Sequence, residues 1–201
     1  MELVLRRMAR EFEKHPKDFN IGHIILILFY AEEGLSRSKL KELLGLGEGS
    51  VKSIVKYMKK HGLVSTSKAG SKLTRKGASI LRKIRLFVPK ICRISLEYLS
   101  MGKINYAAIL RGMKISEILR IRDMVIRLGG TGAVLLFYKE GRVEIPYVAE
   151  DLKSVSNSDY GNICGIGPQD GDSIIIVGGE DRGSALKALG SVLLELLVHQ
   201  A

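Results

Sequence analysis

The sequence predicts an α+β fold in two domains, residues 1–88 and residues 89–201. Two observations lead to this prediction. Apolar residues recur at helical spacing in the first domain, whereas the second contains several apolar runs of strand length. The charge divides at nearly the same place, with 20 Lys and Arg against 8 Asp and Glu in residues 1–90, and 12 against 13 in residues 91–201. The basic excess therefore lies in the first domain.

Two helices separated by a tight turn are predicted after Ser36. Ser36 begins the first helix, and Gly45-Leu46-Gly47 ends it, because glycine reaches turn dihedrals that other residues avoid. The second helix covers residues 48–61, and Gly62 follows its end. Its apolar stripe, which we expect to face the core, consists of Val51, Ile54, Val55 and Met58.

A short hairpin and a third helix follow these two helices. Residues 63–67 and 72–74 are predicted strands around a basic tip at 68–71, and the helix begins after the second strand. Helix, glycine turn, helix with a cationic outer face and then hairpin is the order of a winged helix-turn-helix, whose second helix enters the major groove of DNA. A generic basic helical hairpin with a β-ribbon is the alternative.

The candidate DNA-binding residues are polar or cationic and lie off the apolar stripe of the second helix or in the hairpin. On the helix they are Ser50, Lys52, Ser53, Lys56, Lys59 and Lys60. In and after the hairpin they are Lys68, Ser71, Lys72 and Arg75. We expect the first four helix residues to face the major groove and the hairpin cations to contact phosphate.

The motif Leu73-Thr74-Arg75-Lys76-Gly77 opens the third helix. It resembles the winged-helix domains of bacterial and archaeal transcription regulators, in which a leucine-threonine pair, two variable residues and a glycine follow the wing. The resemblance covers roughly residues 1–88 of the chain. It implies that double-stranded DNA is the partner of this domain.

The second domain is predicted to be a two-layer α/β sandwich with a mostly antiparallel sheet and helices on one face. Its predicted strands are residues 90–99, 103–111, 133–138, 142–148 and 173–177. The first could instead be helix, because its apolar residues do not alternate cleanly. Helices are predicted at 118–128, capped by Ser116, and at 181–199, while residues 149–172 read as a loop-rich segment.

The whole chain is similar to a small archaeal family of winged-helix proteins with a carboxy-terminal domain of unknown function. The similarity rests on residues 105–112 (NYAAILRG), on Ile121-Arg122-Asp123 and on Gly130-Thr131-Gly132-Ala133. It implies a transcriptional regulator, and a carboxy-terminal fold similar to the GAD-type insert of some aminoacyl-tRNA synthetases. The family carries no agreed ligand or reaction, so the resemblance implies no chemistry.

No catalytic site is predicted, because no nucleophile has a base at recognisable spacing. The glycine-containing segment 177–184 could cradle an anion, but Glu180 and Asp181 already place negative charge there, and capping of the last helix by Asp181 is favoured. A weaker ligand-binding set, for which surface ion pairing is the alternative, consists of Arg111, Arg122, Asp123, Gly179 and Arg182.

The sequence also predicts a cytoplasmic protein with no metal and no cofactor. Cys92 and Cys164 are isolated and are interpreted as buried thiols, and the four histidines are scattered. The longest apolar run, residues 24–31, is shorter than the roughly 20 residues that span a bilayer. Residues 1–15 are amphipathic but lack the features of a signal peptide.

These observations predict a DNA-binding transcription regulator whose second domain binds a small-molecule effector, forms a homodimer, or both. The leucines of residues 181–199 occupy more than one helix face, which favours either a dimer interface or burial in the core. The alternative is a non-enzymatic, RNA-associated or translation-linked binding module, which the GAD-like resemblance and the basic face permit.

Overall fold

The chain forms an α+β fold that divides into two compact units. The computed structural model describes residues 19–67, 70–113, 115 and 117–199. The first unit comprises residues 1–84 together with 189–201, and the second comprises residues 85–188. The division near residue 85 lies close to the expected boundary at 88, but the last turns of the carboxy-terminal helix belong to the first unit.

The first unit is mostly helical and contains one two-stranded sheet. Its elements are α1 (Ile21–Tyr30), a 3-10 turn (Ala31–Glu33), α2 (Arg37–Leu44), α3 (Glu48–Lys60), β1 (Val64–Ser67), β2 (Gly70–Leu73), α4 (Arg75–Arg85) and the last turns of α7 (Arg182–His199). The two helices predicted after Ser36 are confirmed. The Ser36 side chain caps α2 by accepting a hydrogen bond from the Lys39 amide, and Gly45 ends this helix with a φ of 62°.

Burial of apolar side chains in this unit follows the predicted stripes. The side chains of α3 that are buried are Val51, Ile54, Val55 and Met58, as predicted. The apolar run at 24–31 forms most of α1, and its side chains Ile24, Ile25 and Leu26 have no exposed surface. The predicted amphipathic pattern of residues 1–15 lies outside the described residues.

The last turns of α7 belong to the first unit because their backbone packs closely against α1. A Cβ atom added at Gly22 would overlap the backbone of Gly190, and one added at Gly190 would overlap Gly22. The Asn20 side-chain amide also donates a hydrogen bond of 2.7 Å to Ser191 Oγ. Leucines on several faces of α7 are buried within the chain itself, among them Leu186, Leu189, Leu193 and Leu197.

The predicted hairpin is confirmed, with β1 and β2 antiparallel and Ser67 paired with Gly70. Its returning strand begins at Gly70, two residues earlier than expected. The reason is a contact distant in sequence: the backbone of Ser71 exchanges two hydrogen bonds with that of Leu35, at 2.8 and 2.9 Å. The tip residues 68 and 69 lie outside the described residues.

The motif that opens α4 joins this helix to the start of the hairpin. Thr74 Oγ1 donates to the Gly62 carbonyl at 2.6 Å and accepts a hydrogen bond from the Gly77 amide at 3.1 Å. Gly77 lies so close to the Leu63 carbonyl oxygen that any side chain there would overlap it. The threonine and the glycine are therefore required by packing, and the two residues between them face solvent.

The second unit is built on a five-stranded, fully antiparallel sheet. Its elements are β3 (Ile91–Ile94), β4 (Ile104–Leu110), α5 (Ile118–Arg127), β5 (Gly132–Lys139), β6 (Arg142–Glu144), a 3-10 turn (Leu152–Ser154), α6 (Asn157–Gly165), β7 (Ser173–Gly179) and the start of α7. The strand order is β3-β4-β7-β5-β6. The first of these strands is a strand and not the alternative helix, because its backbone pairs with β4.

Helices cover both faces of this sheet, so the expected two-layer arrangement with helices on one face is wrong. Ile174 and Ile176 of β7 belong to one cluster with Ile163 of α6. Ile175, which points to the opposite face, lines a small cavity with Ile118 and Ile121 of α5. Every residue of β7 is buried, as expected for a strand that is covered on both faces.

Helix α6 replaces part of the expected loop-rich segment. Its sequence, NSDYGNICG, contains two glycines and two asparagines, which are poor helix formers. The helix is fixed by tertiary contacts instead. Asp159 is fully buried and its carboxylate accepts hydrogen bonds of 2.8 Å from the amides of Glu97 and Leu99. The predicted cap at Ser116 lies outside the described residues, and Glu117 precedes the first turn of α5.

The close packing of α1 on α7 predicts that Gly190→Ala lowers the free energy of unfolding by about 1–3 kcal/mol, because the added methyl group overlaps backbone. Gly49→Ala in α3 is a matched control, since nothing lies within 4 Å of a Cβ there. We expect that control to be neutral or stabilised by up to about 1 kcal/mol. Urea denaturation measures both, and equal stability of the two variants would contradict the prediction.

Candidate nucleic-acid interface

The outer face of α3 presents a row of cationic and hydroxyl side chains opposite the buried stripe. Of the six residues predicted on this helix, five are exposed, namely Lys52, Ser53, Lys56, Lys59 and Lys60. Ser50 is partly buried. Lys59 and Lys60 lie in the last turn, where a positive charge also stabilises the helix dipole. Lys52 and Lys56, one helical turn apart, have no such structural role and define the centre of the face.

The carboxyl end of α3 is linked to α4 by a side-chain hydrogen bond. Lys76 Nζ donates a hydrogen bond of 2.9 Å to the carbonyl of His61, the residue that ends α3. The His61 ring lies 4.2 Å from the ring of Tyr57, measured between centroids. Lys76 is thus occupied by a backbone carbonyl, whereas Arg75 beside it is exposed at the first residue of α4.

The hairpin contains three of the predicted DNA-binding residues, Lys68, Ser71 and Lys72. Lys72 is exposed, and its side chain passes close to Gly34. Ser71 is 3 % exposed, so its side chain is not on the surface that the predicted DNA contact requires. Its burial follows from the backbone pairing with Leu35, which no local sequence pattern shows. Lys68 lies outside the described residues.

A cavity of about 340 Å³ lies between the start of α2 and the hairpin. It is lined by Ser36, Arg37, Thr66, Ser67, Gly70 and Ser71. Arg37 is exposed there at the first residue of α2, where amide groups and the helix dipole favour an anion. Arg37 was missed by the sequence reasoning, although its position directly after the capping serine was a signal for it.

The weaker ligand-binding set of the second unit does not form one site. Arg111 makes a two-pronged ion pair with Asp172, at 2.9 and 2.8 Å, and Asp172 is almost wholly buried. This hydrogen bonding raises the pKa of Arg111 above its ordinary value. Arg182 donates a hydrogen bond of 3.0 Å to the Tyr106 hydroxyl. Both arginines are therefore engaged within the fold.

The segment from β7 into α7 is a helix cap, as predicted. The Ser184 amide donates to Asp181 Oδ1 at 2.9 Å, and the Asp181 amide donates to Ser184 Oγ at 3.3 Å. Gly179 packs against the Ala185 backbone. Arg122 and Asp123 lie elsewhere, in a cavity beside α5 that is not lined by the other three members of the set.

Two of the motif residues shared with the resembled family, Asn105 and Thr131, meet at one end of the sheet and have structural roles. Asn105 is buried, and its side chain bonds the Met101 amide at 2.8 Å and the Gly102 carbonyl at 3.0 Å. Thr131 Oγ1 donates to the Met101 carbonyl. Gly178 fits against the Met101 backbone, where a side chain would overlap. These residues lock the turn between β3 and β4 onto the centre of the sheet.

Cys92 and Cys164 are only partly buried, and burial raises the pKa of the Cys92 thiol, so this thiol is a weak nucleophile at neutral pH. Across the described residues, no three His, Cys, Asp or Glu side chains are grouped so as to hold a metal ion. No helix in that part of the chain has the length and apolar character to cross a membrane.

Comparison with known proteins gives a family match and a structural similarity, neither with a known activity. Residues 101–196 match a family described as a domain of unknown function, DUF4443. The chain is similar in fold to the hypothetical protein PH0730 from Pyrococcus horikoshii OT3, with a TM-score of 0.79 and 23 % sequence identity. The similarity covers 91 % of this chain and 95 % of that one. No curated protein matches the chain.

The Arg111–Asp172 pair predicts that Arg111→Ala lowers the free energy of unfolding by about 1.5–3 kcal/mol, because a buried carboxylate loses its charged donor. In a double-mutant cycle with Asp172→Asn, measured by urea denaturation, the double variant should lose less stability than the sum of the two single variants, which is the sign of a favourable pair. Arg93→Ala, at an exposed position of β3, is the control and should be near neutral. A coupling energy of zero would contradict a stabilising role for the Arg111–Asp172 pair.

Proposed function

We propose that this protein is a DNA-binding transcription regulator whose first unit is a winged helix-turn-helix. The observation that carries the proposal is the exposed Lys52-Ser53-Lys56 face of α3, opposite a buried stripe and directly after a glycine turn. The order α2, turn, α3, hairpin and α4 supports it, since this arrangement places the second helix in the major groove. The basic excess of residues 1–90 supplies attraction to phosphate.

In the proposed complex, α3 lies in the major groove and the hairpin lies along the backbone. Ser50, Lys52, Ser53 and Lys56 then face base edges, where hydroxyl and ammonium groups donate hydrogen bonds to the acceptors of purines. Lys72 and Arg75 contact phosphates. Lys68 does so too, and this contact is proposed from the sequence alone. Arg37 adds a phosphate contact at the start of α2, supported by the cavity beside it.

The proposal is tested first by selecting genomic DNA fragments that the intact protein binds and measuring their affinity by fluorescence anisotropy. We expect a specific duplex to bind more tightly than structured RNA of equal length at the same salt concentration. Tighter binding of the RNA would contradict the proposal and favour an RNA-associated, translation-linked module. If the protein bound neither the duplex DNA nor the RNA, nucleic acid would be excluded as its partner.

The contacts of α3 predict that the double variant Ser50→Ala, Ser53→Ala binds the selected duplex more weakly. Base contacts of this kind are worth about 1–3 kcal/mol each, so the loss of two should weaken binding at least about thirtyfold. Affinity for an unrelated duplex should stay unchanged, because these hydroxyls contribute sequence preference. Equal affinity of the variant and the wild type for the selected duplex would remove them from the base-contacting face.

The cations predict a different signature, which is the dependence of affinity on salt. Lys72→Gln and Arg75→Gln should each weaken binding to all duplexes and reduce the slope of log Kd against log salt by roughly one. Lys153→Gln, at an exposed position of the second unit, is the matched control and should leave the slope unchanged. A slope that Lys72→Gln does not change would exclude a phosphate contact at this position.

We also propose that the protein acts as a homodimer held by its second unit, since two half-sites one helical turn apart lengthen the target. The leucines of α7 do not support this interface, because they are buried within the chain. The exposed apolar residues Tyr147 and Val148 are better candidates, in a turn closed by two hydrogen bonds between Ile145 and Ala149.

Light scattering of the intact protein at high micromolar concentration tests the dimer. The double variant Tyr147→Ser, Val148→Ser should shift the population to monomer, since the interface would lose its apolar anchors. Val155→Ser removes an exposed valine elsewhere in the same unit and is the control. A monomeric wild type would contradict the proposal, and an unchanged dimer in the double variant would move the interface away from this turn.

A further inference from the structure

Helix α4 has a basic outer face that the proposed contacts of α3 and the hairpin leave largely unused. The sequence of the helix, RKGASILRKIR, contains five Lys or Arg residues and no Asp or Glu. The buried residues of this helix are Gly77, Ile80, Leu81 and Ile84. Arg75, Arg82 and Lys83 are exposed and lie on the opposite side.

This basic face continues the cationic surface of α3. The last turn of α3 contains two exposed lysines, and His61, which ends that helix, accepts the hydrogen bond of 2.9 Å from Lys76 in the first turn of α4. Arg82 is seven residues after Arg75, so it lies on the same side of α4 and roughly 10 Å further along the axis. The cations therefore extend from the end of α3 along most of α4.

The charges of this face are not neutralised within the fold. In the ranges of the chain that the structure describes, no carboxylate lies within ion-pair distance of Arg75, Arg82 or Lys83. Lys103 in the second unit shows the contrast, because its ammonium group lies 2.7 Å from a carboxylate oxygen of Glu180. A row of like charges repels itself, and a polyanion that binds the row relieves this repulsion.

We propose that the outer face of α4 binds the phosphate backbone of duplex DNA beside the segment that α3 and the hairpin contact. This inference rests on the proposed function and extends its surface. Arg82 and Lys83 each contact a phosphate of the flanking DNA. One strand carries a phosphate for about every 3.4 Å of duplex axis, so the roughly 10 Å between Arg75 and Arg82 corresponds to about three base pairs.

Contacts of this kind lengthen the bound segment without reading more sequence. Lys and Arg contacts to phosphate fix the register and orientation of a protein on the duplex, whereas base edges carry the sequence information. The face of α4 therefore supplies affinity that depends on the length of the duplex and on salt. The base sequence of the flanking DNA has little effect on it.

A lipid surface is another polyanion that basic helices bind, and α4 fits it poorly. A helix that lies on a membrane buries an apolar face among the lipids. The apolar side of α4 is already buried in the first unit, where Leu81 is 1 % exposed and Ile84 has no exposed surface. Leu86 follows the helix and is exposed, but one leucine is a weak anchor.

Hydroxyl-radical footprinting of the intact protein on a long duplex that contains the selected site tests the inference. The double variant Arg82→Gln, Lys83→Gln should keep the protected centre of the site and lose protection of the backbone next to it. Its affinity at about 0.1 M salt should fall about tenfold or more, and the slope of log Kd against log salt should fall by about two, as expected for two lost phosphate contacts.

Two further double variants are matched controls. Arg82→Lys with Lys83→Arg keeps both charges and should keep the footprint and the slope. Arg93→Gln with Lys153→Gln removes two exposed cations from the second unit and should also leave both unchanged. Thermal unfolding of each variant should match that of the wild type, because all the substituted side chains are exposed.

Four outcomes would overturn the inference. An unchanged footprint and slope in the Arg82→Gln, Lys83→Gln variant would do so and leave the proposed function in place, whereas failure of the wild type to bind any duplex would overturn both. Equal loss of protection over the whole site would assign these cations to the contact of α3. Binding to phosphatidylserine vesicles that this variant loses, while its footprint is unchanged, would make a membrane the partner of α4.

Discussion

The second unit depends on strand β7, which is buried on both faces and paired on both edges. It joins β4 on one side and β5 on the other, so two halves of the sheet that are distant in sequence meet only through it. Asp172 before the strand holds Arg111, and Gly178 near its end admits the Met101 backbone. A polar or bulky residue within β7 would therefore disturb three features at once. These are the pairing of the sheet, the packing of helices on both of its faces and the turn that packs at the end of the strand.

Local patterns predicted the helices and hairpins well, because their causes are local. The stripe of α3, the glycine at the end of α2 and the short turn between the predicted strands at 133–138 and 142–148 act within a few residues, and each is present. The Glu140-Gly141 pair has two positive φ angles, of 50° and 76°, which are typical of a two-residue hairpin turn.

Features that depend on distant contacts were not predictable from the sequence. Helix α6 has poor intrinsic propensity and is fixed by the buried carboxylate of Asp159. The second helical layer was not predicted, because a continuously apolar strand has the same sequence pattern whether helices cover one of its faces or both. Ser71 belonged to the predicted contact residues by its position in the hairpin, yet its pairing with Leu35 buries it. The exposed cations of α3 were predictable because periodicity alone assigns their face.

Helix α7 is one continuous element that contributes to the cores of both units. Gly190 and Ser191 near its carboxyl end contact α1, which lies about 170 residues earlier in the chain. Domains of nascent chains generally fold in order of synthesis, amino-terminal first. Here the helices that leave the ribosome first lack their packing partner until residues 189–197 have also emerged. Completion of the amino-terminal unit therefore requires residues that follow the whole of the second unit in the sequence.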